Sequence, residues 1–86
     1  EPEALWRHAR LLQNRATTAQ SLAEAITALR AAAHAGAVPA MAELGRNLAM
    51  GAGVARDETE ALEWLDKAAT GGDSDAADLA RWLRLR

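Results

Sequence analysis

Apolar residues along this chain recur at i, i+3, i+4 and i+7, the spacing of helix faces rather than of strands. The first such block predicts a helix over about Pro2–Gln13, with Pro2 in the first turn and Leu5, His8 and Leu12 on one face. The connection Asn14–Gln20 has no glycine to define it. Ser21 and Glu24 then have the spacing of a capping box, from which a second helix runs to about His34. Its inward set is Leu22, Ala25, Ile26, Leu29 and Ala33, and Gly36 stops it. A third helix is predicted from Val38-Pro39 to about Met50, burying Ala40, Met41, Leu44 and Leu48. Gly45 lies in its middle, where glycine costs about 1 kcal/mol relative to alanine, so a neighbouring helix is expected to approach closely there. Gly51 and Gly53 make a tight turn, Val54 folds back, and Asp57 with Glu60 repeats the capping-box spacing. The fourth helix, to about Thr70, presents Ala61, Leu62, Trp64, Leu65, Ala68 and Ala69. Gly71-Gly72 ends it. Asp73 or Ser74 caps a fifth helix carrying Ala76, Leu79, Ala80 and Leu83.

These blocks are copies. Displacing the chain by 36 residues sets Ala25, Ala32, Ala33, Gly36 and Ala40 on Ala61, Ala68, Ala69, Gly72 and Ala76, with Glu24 on Glu60 and Leu29 on Leu65. Ala4, Leu5 and Leu12 fall on Ala40, Met41 and Leu48. A period of this size marks stacked helical hairpins. The expected fold is all-α: an α/α superhelical repeat of about two helix pairs plus a closing fifth helix. The units are about 2–36, 37–72 and 73–86 of one repeat domain. Arg81 and Arg84 replace Gly45 and Leu48 in the third unit, and such a charged face is expected of a terminal repeat. The opening Glu1-Pro2-Glu3, without an initiator Met, reads as an excised segment of a longer protein.

The central unit carries a specific pattern on Ala40, Leu44, Gly45, Leu48, Gly51, Gly53, Val54, Asp57, Ala61, Trp64, Ala68, Ala69 and Gly72. It resembles the Sel-one-like repeat, a relative of the tetratricopeptide repeat, and departs from it at Leu48, where the family usually has Tyr. The first unit lacks the G-x-G turn and the third supplies one helix only. The resemblance implies antiparallel helix pairs stacked into a right-handed superhelix whose first helices line the concave surface. It also implies an adaptor or scaffold role for protein complexes, without catalysis or a cofactor, and many such proteins are bacterial. The abundance of Ala and Arg beside a single Lys suits a GC-rich bacterial genome. A bacterial cytoplasm and a periplasm are both compatible with the sequence.

Composition narrows the function. Half the residues are hydrophobic but only 3% are aromatic, so alanine carries much of the apolar content. Leucines and three Trp must then supply most of the burial energy, and modest stability is expected from so short a chain. A net charge of −2 with interspersed signs argues against a nucleic-acid surface. No Cys is present for disulfides or thiolate metal sites, and no apolar run reaches the roughly 20 residues of a membrane span. His8 and His34 fall in different units with no third ligand, and Gly51-Ala52-Gly53-Val54 follows a helix and lacks the Lys-Ser/Thr of a phosphate loop. The acids Asp57, Glu58, Glu60 and Glu63 have no nucleophile or oxyanion donor nearby and read as caps and solvated face.

The candidate site is a binding surface for a protein or peptide. The register places Trp6, Arg7 and Arg10, then Glu43, Arg46 and Asn47, then Asp78 and Trp82 on exposed positions of successive first helices. Arg10, Arg46 and Trp82 are equivalent and form a row of two guanidiniums and an indole, suited to a peptide with a carboxylate and an apolar side chain. The plainer reading is that these are solvated residues, with Trp82 folded over the end of the core. Trp64 is expected in the core, His8 as a partly buried packing residue, and His34 against helix-terminal carbonyls. The rival role is a structural or regulatory segment packed against another domain of its own chain.

Overall fold

The computed structural model describes residues Glu1–Arg86 as five α-helices: α1 (Pro2–Arg15), α2 (Ala19–His34), α3 (Val38–Met50), α4 (Glu58–Thr70) and α5 (Ser74–Leu85). The fold is all-α. Each helix packs on the next in chain order, in a body of 34 × 26 × 16 Å.

The 36-residue period is written into the backbone. At the end of α2, Ala37 N–H donates to Ala32 O and Gly36 N–H to Ala33 O; at the end of α4, Asp73 N–H donates to Ala68 O and Gly72 N–H to Ala69 O. These are two Schellman motifs one period apart, and both require a left-handed residue, supplied by Gly36 at φ 101° and Gly72 at φ 105°. The chain therefore leaves each second helix in the same direction, and α3 and α5 start from equivalent places.

Two capping assignments are corrected. The capping box of α2 is Thr18 with Ser21, not Ser21 with Glu24: Thr18 Oγ1 accepts from Ser21 N–H at 3.1 Å and Ser21 Oγ accepts from Thr18 N–H at 3.0 Å. Ser21 sits at the third helical position, so α2 begins a turn earlier and Leu22 is 42% exposed rather than buried. At α4, Asp57 Oδ1 accepts from Glu60 N–H at 3.0 Å, but the box is only half formed. Asp57 N–H donates to Leu48 O at 2.9 Å instead, which frees the Glu60 carboxylate. Asp73 caps α5 by accepting from Ala76 N–H at 3.0 Å.

A single cluster from Ala9 to Leu83 forms the core. Its bulk comes from Leu29, Leu44, Leu48 and Leu65, each worth about 2 kcal/mol on burial, and buried alanines fill the rest. Trp64 joins it at 5% exposure. On α1 the buried residue is Ala9, while His8 is exposed; the inward stripe is Leu5, Ala9 and Leu12, not Leu5, His8 and Leu12. Ala9 is the register mate of Gly45, and both are buried.

At Gly45 a Cβ would lie 2.7 Å from Leu65 Cγ and 2.8 Å from its Cδ2. The glycine is thus the condition for α3 to lie on α4. Overpacking of this kind costs about 1–3 kcal/mol, against roughly 1 kcal/mol regained in helix propensity. Gly45→Ala is expected to destabilise the fold by about 1.5 kcal/mol in urea denaturation. A variant more stable than the parent would mean that helix propensity governs the position and that the helices do not meet there.

Candidate functional site

The first-helix residues predicted to form a surface lie on α1, α3 and α5 as expected, but their charged and aromatic side chains are mostly engaged by near neighbours in sequence. On α1 the Arg10 guanidinium lies 5.3 Å from the centre of the Trp6 ring, and Trp6 leans half-buried on the core. On α3 Arg46 Nη2 pairs with Glu43 Oε1 at 2.8 Å, both half-exposed beside Asn47. On α5 Asp78 meets Arg81 at 3.7 Å, and the Arg86 guanidinium lies 5.1 Å from the Trp82 ring. No ion pair or hydrogen bond joins these three groups to one another. Trp82 is 58% exposed, so it is not folded over the end of the core. Ala42, the register mate of Trp6 and Asp78, is buried, so positions 6, 42 and 78 do not continue one another as an exposed row.

The strongest polar cluster lies elsewhere, between α2 and α4. Glu60, released from its capping role, accepts from Arg30 Nη1 of α2 and from Trp64 Nε1 at 3.0 Å. The edge of His34 meets the Trp64 ring at 4.9 Å and 81°, and Lys67 Nζ lies 4.8 Å from its centre on the same helix. His34 therefore serves as an aromatic neighbour of Trp64 rather than a ligand of terminal carbonyls. These groups line an open cleft of about 680 Å³ with Asp57, Glu63 and Asp66. The Arg30 hydrogen bond, then that of Trp64, holds the Glu60 carboxyl below its ordinary value of 4.5. The signal for half of this cluster is present in the sequence, since i, i+4 spacing places Glu60 beneath Trp64. Arg30 stands 30 residues away and has no such signal.

The charges of α5 also turn inward to α4. Arg84 grips Asp66 through both nitrogens, at 3.0 and 2.5 Å, and Arg86 pairs with Glu58, which Arg56 also reaches. Arg84 accordingly holds Asp66 below its usual range, and Arg86, then Arg56, does the same to Glu58. The Arg at the register position of Leu48 thus replaces apolar packing with an interhelical ion pair.

Among known proteins, the Sel1 repeat family model matches residues 38–73. That stretch is α3, the glycine turn, α4 and the Schellman turn, one whole period. That stretch is therefore similar to a Sel1 repeat, a helical repeat module commonly used for protein–protein interaction and generally non-catalytic. No curated protein and no solved structure matches the chain. No helix is long and apolar enough to cross a membrane.

Because the folded-state pKa of Glu60 is depressed, its contribution to stability is complete above about pH 4.5 and is lost as pH falls through the folded value. Glu60→Gln is expected to lower stability at pH 7 by about 1 kcal/mol, a figure reduced for the partial exposure of Arg30 and Glu60. The gap between parent and variant should narrow as urea denaturation is repeated from pH 5 down to pH 3. A gap of constant size across that range would show that the carboxylate charge plays no part in the knot.

Proposed function

We propose that the chain is a non-catalytic protein-interaction module that scaffolds or recruits a protein or peptide through the exposed faces of its first helices. The residues assigned to that surface are Trp6, Arg10, Glu43, Arg46, Asn47, Asp78 and Trp82. The observation that carries this reading is Trp82, a large aromatic side chain 58% exposed on α5 at the register position of Arg10 and Arg46. Trp and Arg dominate binding energy at protein interfaces because they combine area with directed polar contact. The Sel1 repeat that adjoins α5 supports the same role. The adaptor character, a bacterial source and the concave placement of this surface belong to the proposal as well.

A structural reading has one observation in its favour. Leu85, at 78% exposure, and Ala77 lie beside Arg81 on an outer face of α5, where a further domain of the same polypeptide could pack. Solubility separates the two roles: a module of this kind stays monomeric when expressed alone, whereas a packing segment aggregates until its neighbour is supplied.

A photo-crosslinker at position 46 or 82, introduced in the source cell, is expected to capture one reproducible protein. Arg46→Glu with Trp82→Ala should abolish the capture while leaving the helical circular dichroism and the melting temperature nearly unchanged. Undiminished capture by that well-folded variant would remove the first-helix surface from the function.

A further inference from the structure

At the seam between the first and second units lies an open hollow of about 350 Å³. Its apolar lining is buried Ala25 and Ile26 of α2, with Leu22, 42% exposed, beside them. Gln13 of α1, Asn47 of α3 and Gly53 of the turn after α3 complete it. Helices of both units stand around this hollow, so its opening is a property of the seam itself. The carboxamides of Gln13 and Asn47 are half-buried, yet neither makes a hydrogen bond within the chain. The backbone N–H and C=O of Gly53 also lack a backbone partner.

Packing does not account for Asn47. The register mates of this position are Leu11 and Leu83, so asparagine is the polar exception. At the next seam Leu83 is buried, Leu62 stands where Ile26 does, and Glu58, the mate of Leu22, is covered by Arg86 and Arg56. No hollow is lined by those three positions. A leucine at 47 would add apolar burial and raise the helix propensity of the last turn of α3. Asparagine supplies neither, and its carboxamide bonds nothing in the fold. What it leaves is a small apolar hollow with unspent hydrogen-bonding groups at its edge.

We infer that this hollow seats an extended, uncharged stretch of a partner polypeptide. One Val- or Leu-sized side chain of the partner packs on Leu22 and Ile26, and the carboxamides of Asn47 and Gln13 bond the backbone on either side of it. A carboxamide carries a donor and an acceptor in one plane, as a peptide group does, so it can hold backbone N–H and C=O together. Extended backbone has those groups to offer, whereas a helix has already spent them on itself. The lining selects against charge, because none of its 7 residues is ionised and an entering carboxylate or ammonium would lose its hydration without a partner. The inference rests on the reading of the chain as a protein-binding module. It gives Asn47 a role that does not depend on Arg46 or Trp82.

The test titrates the isotope-labelled chain, followed by NMR, with the end-capped peptide Thr-Ser-Thr-Leu-Thr-Ser-Thr and with a counterpart carrying Asp for Leu. The Leu peptide is expected to bind at least about tenfold more tightly than the Asp peptide, and its binding should not change with salt. The chain has four side-chain carboxamides, at Gln13, Asn14, Gln20 and Asn47, and the signals of Gln13 and Asn47 should move most. Asn47→Ala should weaken binding about tenfold. Asn47→Leu should abolish it while raising the urea midpoint, and Asn14→Ala should leave it unchanged. Equal binding of the two peptides, no binding of either, or full binding by both position-47 variants overturns the inference. Each of these results leaves capture from position 82 open to its own experiment, so the two readings fail separately. Loss of peptide binding on Trp82→Ala also overturns the inference and puts the peptide on the first-helix row. A dimer that Asn47→Leu dissolves gives the hollow to a second copy and overturns it too.

Discussion

The spacing of α3 and α4 is set by a side chain that is missing. A Cβ at position 45 would lie 2.7 Å from Leu65 Cγ, so α3 rests on α4 in this way because the residue there is glycine. Much follows from that contact. With the backbones close, alanines suffice to fill the remaining space, and Ala40, Ala61 and Ala68 are completely buried. Leu44, Leu48 and Leu65 lock between them as the bulky elements. In the first unit the equivalent of Gly45 is Ala9, so α1 meets α2 with a methyl group in place of none.

A second layer of organisation is polar and joins units rather than helices of a pair. Arg30 of α2 reaches Glu60 of α4, which in turn holds the Trp64 indole, and Arg84 of α5 holds Asp66 of α4. Surface ion pairs add little on their own. Here they fix rotamers at places where the small-residue core gives little resistance to sliding. A buried indole N–H without an acceptor would cost about 1–3 kcal/mol, so Glu60 also satisfies the polar atom of the largest core residue. Lying in this framework, Trp64 and His34 are parts of the structure rather than a site.

How legible this was depends on whether the controlling contact is local. The glycines that end α2 and α4, the Asp caps of α4 and α5 and the inward stripes of α3, α4 and α5 follow from short spacings, and the structure places them as expected. The start of α2 was not legible in the same way, because Thr18 and Ser21 both offer a capping hydroxyl three residues before a possible partner. The reciprocal pair Thr18–Ser21 wins, since each satisfies the other's N–H. On α1, stripes through His8 and through Ala9 both fit a helical period, and alanine gives too weak an apolar signal to choose. The register with Gly45 carries the answer, because a small residue is needed at that face. Glu60 shows the opposite failure: its N3 spacing from Asp57 is right for a capping box, yet Arg30, distant in sequence, offers it a charged partner.

The candidate surface divides along the same line. Register equivalence correctly puts Arg10, Arg46 and Trp82 on successive first helices, but equivalence of position does not make side chains converge. Each is taken up by a neighbour three or four residues away, Trp6, Glu43 and Arg86 respectively. A partner binding along that row must therefore displace or share the Glu43 contact of Arg46, whereas Arg10 and Trp82 offer their outer groups without losing an ion pair. This difference makes the two ends of the row, α1 and α5, cheaper to engage than its middle. It also agrees with where large apolar side chains are exposed, at Leu11 on α1 and at Trp82 and Leu85 on α5. Under the proposed role, the helices that flank the matched repeat, rather than the repeat itself, are where a partner would gain most.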